Sequence, residues 1–159
     1  MALRTGDLAP DFTLPSTAGR PFNLRLDALG RPLVLYFYPK DFTGVCTAEA
    51  CGFRDEFAHF HDLNVPVVGI SRDTLATHHR FRAAYNLPFE LLSDTEGTVT
   101  EQYAGKLPLV GWSQRTTYLL DADQRVVLAF NKLFESRSHI AQVKAALAKL
   151  GPSLATRVA

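Results

Sequence analysis

The sequence predicts an α/β fold in which a central mixed β-sheet is flanked by helices. Strand-like and helix-like segments alternate along the 159 residues, without repeats or low-complexity linkers. Residues 32–38 form a continuous apolar run bounded by prolines, which is typical of a strand buried on both faces. Further along, residues 115–120 and 125–130 flank a short polar turn, as the strands of an antiparallel hairpin do.

The first half of the chain is expected to contain a small hairpin, two buried strands and a helix between those strands. Residues 11–14 and 21–24 are separated by the turn-forming stretch 16–19, which indicates an N-terminal β-hairpin. Residues 65–71 form the second buried strand. The helix is expected to run through Phe60, because apolar residues recur at helical spacing. These residues are Ala50, Phe53, Phe57 and Phe60.

The next segment predicts a second helix, a short strand and a helical turn. Asp73 or Thr74 is expected to cap the helix, which ends before Pro88. The residues near its inner face are Leu75, His78, Phe81, Arg82 and Tyr85. Residues 89–92 then form the strand, and residues 99–103 form the helical turn.

A last helix is expected to open at Ser138 and to stop at Gly151 and Pro152. Its inward residues are Ile140, Val143, Leu147 and Leu150. A βαβ unit followed by a hairpin and a helix is the element order of a thioredoxin-like fold. The length predicts one domain over residues 1–159, large enough to bury a core.

Composition agrees with a compact soluble enzyme and argues against some classes of partner. The 17 basic and 16 acidic residues give a net charge of +1, so no electrostatic argument favours nucleic acid or a membrane surface. No apolar run is long enough to cross a bilayer. Residues 1–5 lack the features of a secretory signal, so a cytoplasmic location is expected. A monomer is expected because no apolar patch is obvious.

The two cysteines are the strongest indication of function. Cys46 falls just inside the first predicted helix, where unpaired backbone N–H groups and the helix dipole favour a thiolate. Two cysteines in a reducing compartment are more typical of catalysis than of a structural disulfide. Cys46 is therefore the candidate nucleophile and Cys51 its partner. The alternative is that both cysteines only pack as small hydrophobic residues.

The spacing of the cysteines limits how they can bond. Five residues along an ideal helix place two Cα atoms about 8–9 Å apart, whereas a disulfide needs a Cα separation below about 7 Å. A bond between Cys46 and Cys51 therefore requires local unwinding. Gly52 is expected to ease that unwinding, since glycine is about 1 kcal/mol worse than alanine in a helix interior.

Several segments resemble one enzyme family. Residues 35–55 resemble the active-site segment of the peroxiredoxins, in particular the bacterioferritin comigratory protein (peroxiredoxin Q) group. The family motif Pro-x-x-x-Thr/Ser-x-x-Cys is matched by Pro39, Thr43 and Cys46. A second cysteine five residues later, here Cys51, is characteristic of this group. Residues 115–121 resemble the family strand that supplies an arginine, and the similarity extends from residues 6–12 to the final helix.

The resemblance implies a thiol-dependent peroxidase that reduces hydrogen peroxide and organic hydroperoxides without metal, haem or flavin. Cys46 would be the peroxidatic cysteine, which becomes a sulfenic acid. Cys51 would be the resolving cysteine, which condenses with it to an intramolecular disulfide. Thioredoxin or a similar dithiol protein would then reduce the disulfide.

The resemblance also implies roles for four further residues, each with a plainer alternative. The Thr43 hydroxyl would bind the thiolate and the peroxide, a role compatible with that of a helix N-cap. Arg115 would stabilise the thiolate and hold the peroxide, or would be a solvated charge at the start of a strand. Glu49 would position this arginine, or would be an ordinary first-turn glutamate. Pro39 would end the strand and screen the thiolate from water.

Two other functions are alternatives to the peroxidase. A thioredoxin-like disulfide reductase would need Cys-x-x-Cys, so the observed spacing and the upstream Thr43 argue against it. A noncatalytic domain whose cysteines merely pack would not turn over peroxide.

The remaining chemistry-bearing residues receive no catalytic assignment. His59 and His61 fall near a helix end, and the adjacent His78 and His79 cannot share a helix face. The spacing of histidines and cysteines does not fit a zinc site. Trp112 lies shortly before Arg115, where it would belong either to a loop over the active site or to the core.

Overall fold

The computed structural model describes residues 2–105, 115–131 and 136–150. The strands are β1 (Thr13–Leu14), β2 (Phe22–Asn23), β3 (Leu33–Phe37), β4 (Val67–Ser71), β5 (Glu90–Ser93), β6 (Thr116–Leu120) and β7 (Val126–Asn131). The helices are α1 (Leu24–Ala28), α2 (Gly44–Asp55), α3 (Phe57–Asp62), α4 (Leu75–Tyr85), α5 (Thr98–Ala104) and α6 (Ser136–Leu150).

The central sheet has the strand order β5-β4-β3-β6-β7. Strands β3, β4 and β5 are parallel, whereas β6 pairs antiparallel with both β3 and β7. The predicted mixed sheet is therefore confirmed. β1 and β2 form the predicted N-terminal hairpin, with shorter strands than the sequence indicated.

Helices cover both faces of the sheet, so a hydrophobic core lies on each side of it. Alternate residues of the central strand β3 belong to one core or the other. Val34 and Tyr36 lie in one core, which is closed by α2, α3, α4 and α6. Leu35 and Phe37 lie in the other, beneath the hairpin, α1 and α5. All five residues of β3 are buried, as its continuous apolar run predicts. No helix of the described residues is long and apolar enough to span a bilayer.

The helix that was expected to run through Phe60 is in fact two helices. Glu56, with φ −97° and ψ 8°, separates α2 from α3. The Glu56 N–H still donates to Gly52 O at 3.2 Å, so one residue leaves helical geometry while the hydrogen-bonded path continues. Cys46 and Cys51 both remain within α2.

The N-terminal ends of three helices can be compared with the helix starts expected from the sequence. Thr74 caps α4, since its hydroxyl accepts a hydrogen bond from the Thr77 N–H at 3.3 Å. The sequence did not predict α1, which Asn23 caps by accepting from the Leu26 N–H at 2.8 Å. The last helix begins at Ser136, two residues earlier than expected. Its expected stop at residues 151–152 lies outside the described residues.

Candidate active site

The register of the central strands brings the candidate site residues together. Phe37, the last residue of β3, pairs with Thr116, the first residue of the antiparallel strand β6. Arg115 immediately precedes β6, so it lies beside the point where the chain leaves β3 and continues toward α2. Cys46 lies in the first turn of α2. Two segments that are nearly seventy residues apart in sequence thus meet at one edge of the sheet.

Cys46, Glu49 and Arg115 form a buried group. The Arg115 Nη2 donates to Cys46 Sγ at 2.9 Å, and its Nη1 donates to Glu49 Oε1 at 2.6 Å. Cys46 is 1% exposed, Glu49 0% and Arg115 2%. Arg115 is therefore not a solvated charge at the start of a strand, and Glu49 is not an exposed first-turn glutamate.

Burial controls the ionisation of Glu49. Removal of the carboxyl group from water raises the pKa of Glu49 from 4.5 to about 7, although the charge and hydrogen bond of Arg115 act in the opposite direction. Burial dominates because only one carboxylate oxygen has a strong donor. Among the described residues, none donates a hydrogen bond to Glu49 Oε2.

His139 on α6 is a site residue that the sequence did not indicate. Its Nδ1 lies 3.6 Å from Glu49 Oε2 and 2.7 Å from Thr117 Oγ1, and the ring is fully buried. The available signal was helical spacing, because His139 precedes the inward residues Val143 and Leu147 by four and eight positions. A polar residue in that row faces the core, where it needs a partner.

Thr43 occupies the N-cap position of α2 without capping it through its side chain. Its carbonyl accepts the first helical hydrogen bond, from the Thr47 N–H at 2.8 Å. The Thr43 hydroxyl instead donates to Lys40 O at 2.8 Å. A hydroxyl that donates to a carbonyl still has lone pairs that can accept a hydrogen bond from a ligand.

Pro39 lies two residues beyond the end of β3 and is half-buried. The preceding residue, Tyr38, still donates its N–H to Ile70 O of β4 at 3.1 Å. Pro39 has no N–H with which to continue that ladder, so the backbone turns away there toward α2.

Cys51 lies further along α2 and is half-buried, and both cysteines are free thiols. The two residues share one helix, so the Cα separation expected for ideal helix geometry applies to them. Gly52 has a packing role that the sequence did not reveal, because a Cβ added there would lie 2.3 Å from Ile140 Cδ1 of α6. Glycine at this position allows α2 and α6 to approach closely.

Comparisons with known proteins agree with this geometry. Residues 5–129 match the AhpC/TSA family. A peroxiredoxin of the bcp type from Coxiella burnetii is 41% identical over 149 residues, which are 90% of this chain and 97% of that protein. The chloroplastic peroxiredoxin Q of Sedum lineare is 41% identical over 136 residues, which are 85% of this chain and 73% of that protein. The structure of peroxidoxin BcpB from Mycobacterium tuberculosis has a TM-score of 0.86 at 35% identity, covering 93% of this chain and 98% of that one.

A thioredoxin-like sheet with a buried thiol hydrogen-bonded to a guanidinium defines, together with these similarities, a peroxiredoxin, which is a thiol peroxidase that acts on peroxides. The chain belongs to the AhpC/TSA family, and within it to the group of the peroxiredoxin Q and bcp proteins. The resemblance recognised in the sequence is thereby confirmed.

Proposed function

We propose that the protein reduces hydrogen peroxide and organic hydroperoxides through the Cys46 thiolate, in an antioxidant role. Cys46 Sγ attacks one peroxide oxygen, so an S–O bond forms while the O–O bond breaks. The leaving oxygen takes the electron pair of that bond, gains a proton and departs as water or an alcohol, and Cys46 becomes a sulfenic acid. The observation that carries this proposal is the buried Arg115–Cys46 hydrogen bond of 2.9 Å.

Arg115 supplies the fixed positive charge in this step. The guanidinium stabilises the Cys46 thiolate before reaction and the charge that develops on the departing oxygen during it. Glu49 holds the other edge of the guanidinium through its 2.6 Å hydrogen bond, so the charge is oriented without substrate. The roles assigned to both residues are supported by these two contacts and by their burial.

Thr43 and Pro39 act on the peroxide side of the thiol. The Thr43 hydroxyl, whose hydrogen is engaged with Lys40 O, accepts the hydrogen bond of the peroxide O–H. Pro39 limits the access of water to the thiolate. The position of both residues in the segment that enters α2 supports this part of the proposal.

Cys51 resolves the sulfenic acid. Its sulfur attacks Cys46 Sγ, an S–S bond forms, the S–O bond breaks and water leaves. The half-buried position of Cys51 supports this role, since the thiol becomes accessible when α2 unwinds. A thioredoxin-type dithiol protein then reduces the disulfide. We propose further that the enzyme works in the cytoplasm as a monomer.

One experiment separates these assignments. Reduced wild-type protein is mixed with one equivalent of hydrogen peroxide, quenched with acid, and examined by thiol titration and intact mass spectrometry. The wild type is expected to lose both thiols and two hydrogen atoms of mass. The Cys51→Ser variant is expected to gain one oxygen atom, and the Cys46→Ser variant to remain unchanged.

Two results would contradict the proposal. The first is a Cys46→Ser variant that still consumes peroxide at about a tenth of the wild-type rate or more, since loss of the nucleophile leaves far less than this. The second is a wild-type protein that reduces the disulfides of insulin but does not react with peroxide. That result would favour a disulfide reductase, although the 1% exposure of Cys46 leaves little room for a protein disulfide to reach it.

A further inference from the structure

A buried polar pair lies beneath the segment that enters α2. The side chains of Asp41 and His78 are both 0% exposed, and Asp41 Oδ2 lies 2.6 Å from His78 Nδ1. Asp41 Oδ1 accepts a hydrogen bond from the Tyr38 hydroxyl at 2.5 Å. His78 Nε2 lies 2.9 Å from the carbonyl oxygen of Leu92. Neither residue takes part in the chemistry described above.

The hydrogen-bond partners of His78 determine which of its ring nitrogens donates. A carbonyl oxygen only accepts, so His78 Nε2 carries a hydrogen and donates it to Leu92 O. One proton then lies between His78 Nδ1 and Asp41 Oδ2, whichever atom holds it. Burial, followed by the nearby Tyr36 and Asp41, raises the pKa of Tyr38 well above its ordinary value, so its hydroxyl stays a donor. The imidazole thus links Asp41 to strand β5.

The parallel pairing of β3 and β4 explains the position of this pair. The segments that follow two parallel strands leave the same edge of the sheet. The Asp41 N–H therefore meets the segment after β4 and donates to Asp73 Oδ2 at 2.8 Å. Asp73 Oδ2 also accepts from the Ser71 hydroxyl at 2.6 Å. One polar side-chain atom from each of Asp41, Asp73 and His78 lies within 4.8 Å of the other two, but the polar atoms of these side chains are engaged in hydrogen bonds within the protein.

The backbone next to Asp41 adopts a conformation that needs support. Phe42 has φ 64°, in the left-handed region, which is rare and strained for a residue with a side chain. Such a conformation persists only where surrounding contacts over-determine it. Asp41 supplies contacts on one side of Phe42. On the other side, Thr43 closes the turn through its hydrogen bond to Lys40 O.

We propose that Asp41 and His78 are positioning residues that hold the strained turn at Phe42, and through it the Thr43 hydroxyl, in the orientation that receives peroxide. Neither residue touches the substrate. The inference rests on the proposed function, because it assumes that Thr43 binds the peroxide attacked by Cys46. It predicts that loss of the pair slows the reaction with peroxide and leaves the intrinsic reactivity of the thiol largely intact.

The test compares two reactions of the same sulfur in a Cys51→Ser background, where only Cys46 reacts. Stopped-flow mixing gives the second-order rate constant with hydrogen peroxide, and intact mass spectrometry gives that with iodoacetamide, which needs no Thr43 contact. Asp41→Ala is expected to slow the peroxide reaction about tenfold or more, the loss that corresponds to about 1.4 kcal/mol of transition-state stabilisation. Alkylation is expected to change by less than about threefold, or about 0.7 kcal/mol on the same scale.

A conservative variant tests whether the hydrogen bonds of Asp41, and not its charge, support the peroxide reaction. In Asp41→Asn the amide oxygen accepts from Tyr38 and the amide N–H donates to a neutral His78 Nδ1. Asp41→Asn is therefore expected to restore most of the peroxide rate. Tyr38→Phe removes one hydrogen bond to Asp41 and retains the ring, so it is expected to give a smaller loss. This variant keeps the proposal testable if Asp41→Ala does not fold.

Asp94→Ala is the matched control, since Asp94 is another buried aspartate and accepts hydrogen bonds from Thr100 N and Oγ1 without contacting Asp41. It is expected to lose stability and to keep the wild-type peroxide rate. The proposal is wrong if peroxide reaction and alkylation slow in parallel, if Asp41→Asn is as slow as Asp41→Ala, or if a folded Asp41→Ala or Tyr38→Phe variant keeps the full rate. A failure of the proposed function can be distinguished from a failure of this inference, because the Cys46→Ser variant would then still consume peroxide.

Discussion

Arg115 and Glu49 are joined by a buried hydrogen bond of 2.6 Å between Nη1 and Oε1, and neither side chain is more than 3% exposed. The same guanidinium donates through Nη2 to Cys46 Sγ. The carboxyl group therefore fixes the cation beside the sulfur before a peroxide arrives. A charge that is already oriented stabilises developing negative charge without reorganisation during the reaction.

Arg115→Ala is expected to lower the second-order rate constant for peroxide by about 100-fold or more, the usual cost of removing one preorganised donor. Arg115→Lys retains the charge but lacks the planar guanidinium that contacts Cys46 and Glu49 through two nitrogens. It is therefore expected to recover only part of the rate. Single-turnover stopped-flow measurements test both variants. Arg20→Ala is the control, since the Arg20 side chain is 75% exposed and forms its ion pair with Asp27 of α1. A wild-type rate in Arg115→Ala would show that the Arg115–Cys46 contact has no catalytic role.

Glu49 is expected to make the stability of the reduced protein depend on pH. The folded pKa of about 7 exceeds the unfolded value of 4.5, so the folded state holds more protons between these pH values. The free energy of unfolding therefore falls as pH rises through this window, by at most about 1.4 kcal/mol per pH unit for one proton. This contribution levels off only well above pH 7, where the carboxyl group is ionised in both states.

Glu49→Gln removes the titrating group while retaining the shape of the side chain. Urea unfolding of the reduced wild type and of this variant, from pH 4.5 to above 7, isolates the contribution of Glu49. The difference in unfolding free energy between the two proteins should change across the window in the direction given above. A pH-independent difference would mean that Glu49 keeps an ordinary acidity in the folded protein.

Gly52→Ala is expected to show a conflict between helix propensity and packing. Alanine favours a helix by about 1 kcal/mol over glycine, but the new Cβ would lie 2.3 Å from Ile140 Cδ1. Overpacking of this kind costs about 1–3 kcal/mol. In the wild-type background the substitution should therefore give no gain in stability, or a loss.

Ile140→Val removes only the methyl group that would collide. In that background Gly52→Ala should stabilise the protein by up to about 1 kcal/mol, because the propensity gain then acts alone. A double-mutant cycle by urea unfolding measures the coupling between the two positions. Equal effects of Gly52→Ala in both backgrounds would show that α2 and α6 separate readily enough to admit the added carbon.

The sequence predicted the parts of this molecule that local patterns determine. The continuous apolar run predicted that β3 is a buried central strand, and the polar turn between two apolar segments predicted the hairpin of β6 and β7. The cysteine motif and the strand beginning at Arg115 were recognised separately. That Arg115 contacts Cys46 follows from the pairing of Phe37 with Thr116, a register that no local pattern specifies.

What the sequence did not predict depends on partners from distant elements. His139 lies in the inward row of α6, but its approach to Glu49 depends on how α6 packs against α2. His78 was placed on the inner face of its helix and assigned no role, because its partner Asp41 is 37 residues away. The division between α2 and α3 at Glu56 was missed because the apolar spacing continues across it.

The two cysteines share α2, so disulfide formation is expected to unwind part of that helix. Ideal geometry places their Cα atoms about 8–9 Å apart, beyond the limit of about 7 Å for a disulfide. Glu49 lies between them, so the unwinding also withdraws its carboxyl group from Arg115. The structural change should therefore extend across the first turns of α2 and spare the central strand β3, whose five residues are all buried.

Hydrogen exchange followed by mass spectrometry tests this expectation. In the oxidised protein, amides of residues 43–53 should exchange faster than in the reduced protein, while amides of β3 remain protected in both forms. The control is Cys51→Ser treated with the same peroxide, since it forms the sulfenic acid but not the disulfide. Its exchange should stay close to that of the reduced protein, which separates unwinding from oxidation itself. If mass spectrometry identifies the Cys46–Cys51 bond while residues 43–53 exchange equally in both redox forms, the disulfide forms without unwinding and this account of resolution is wrong.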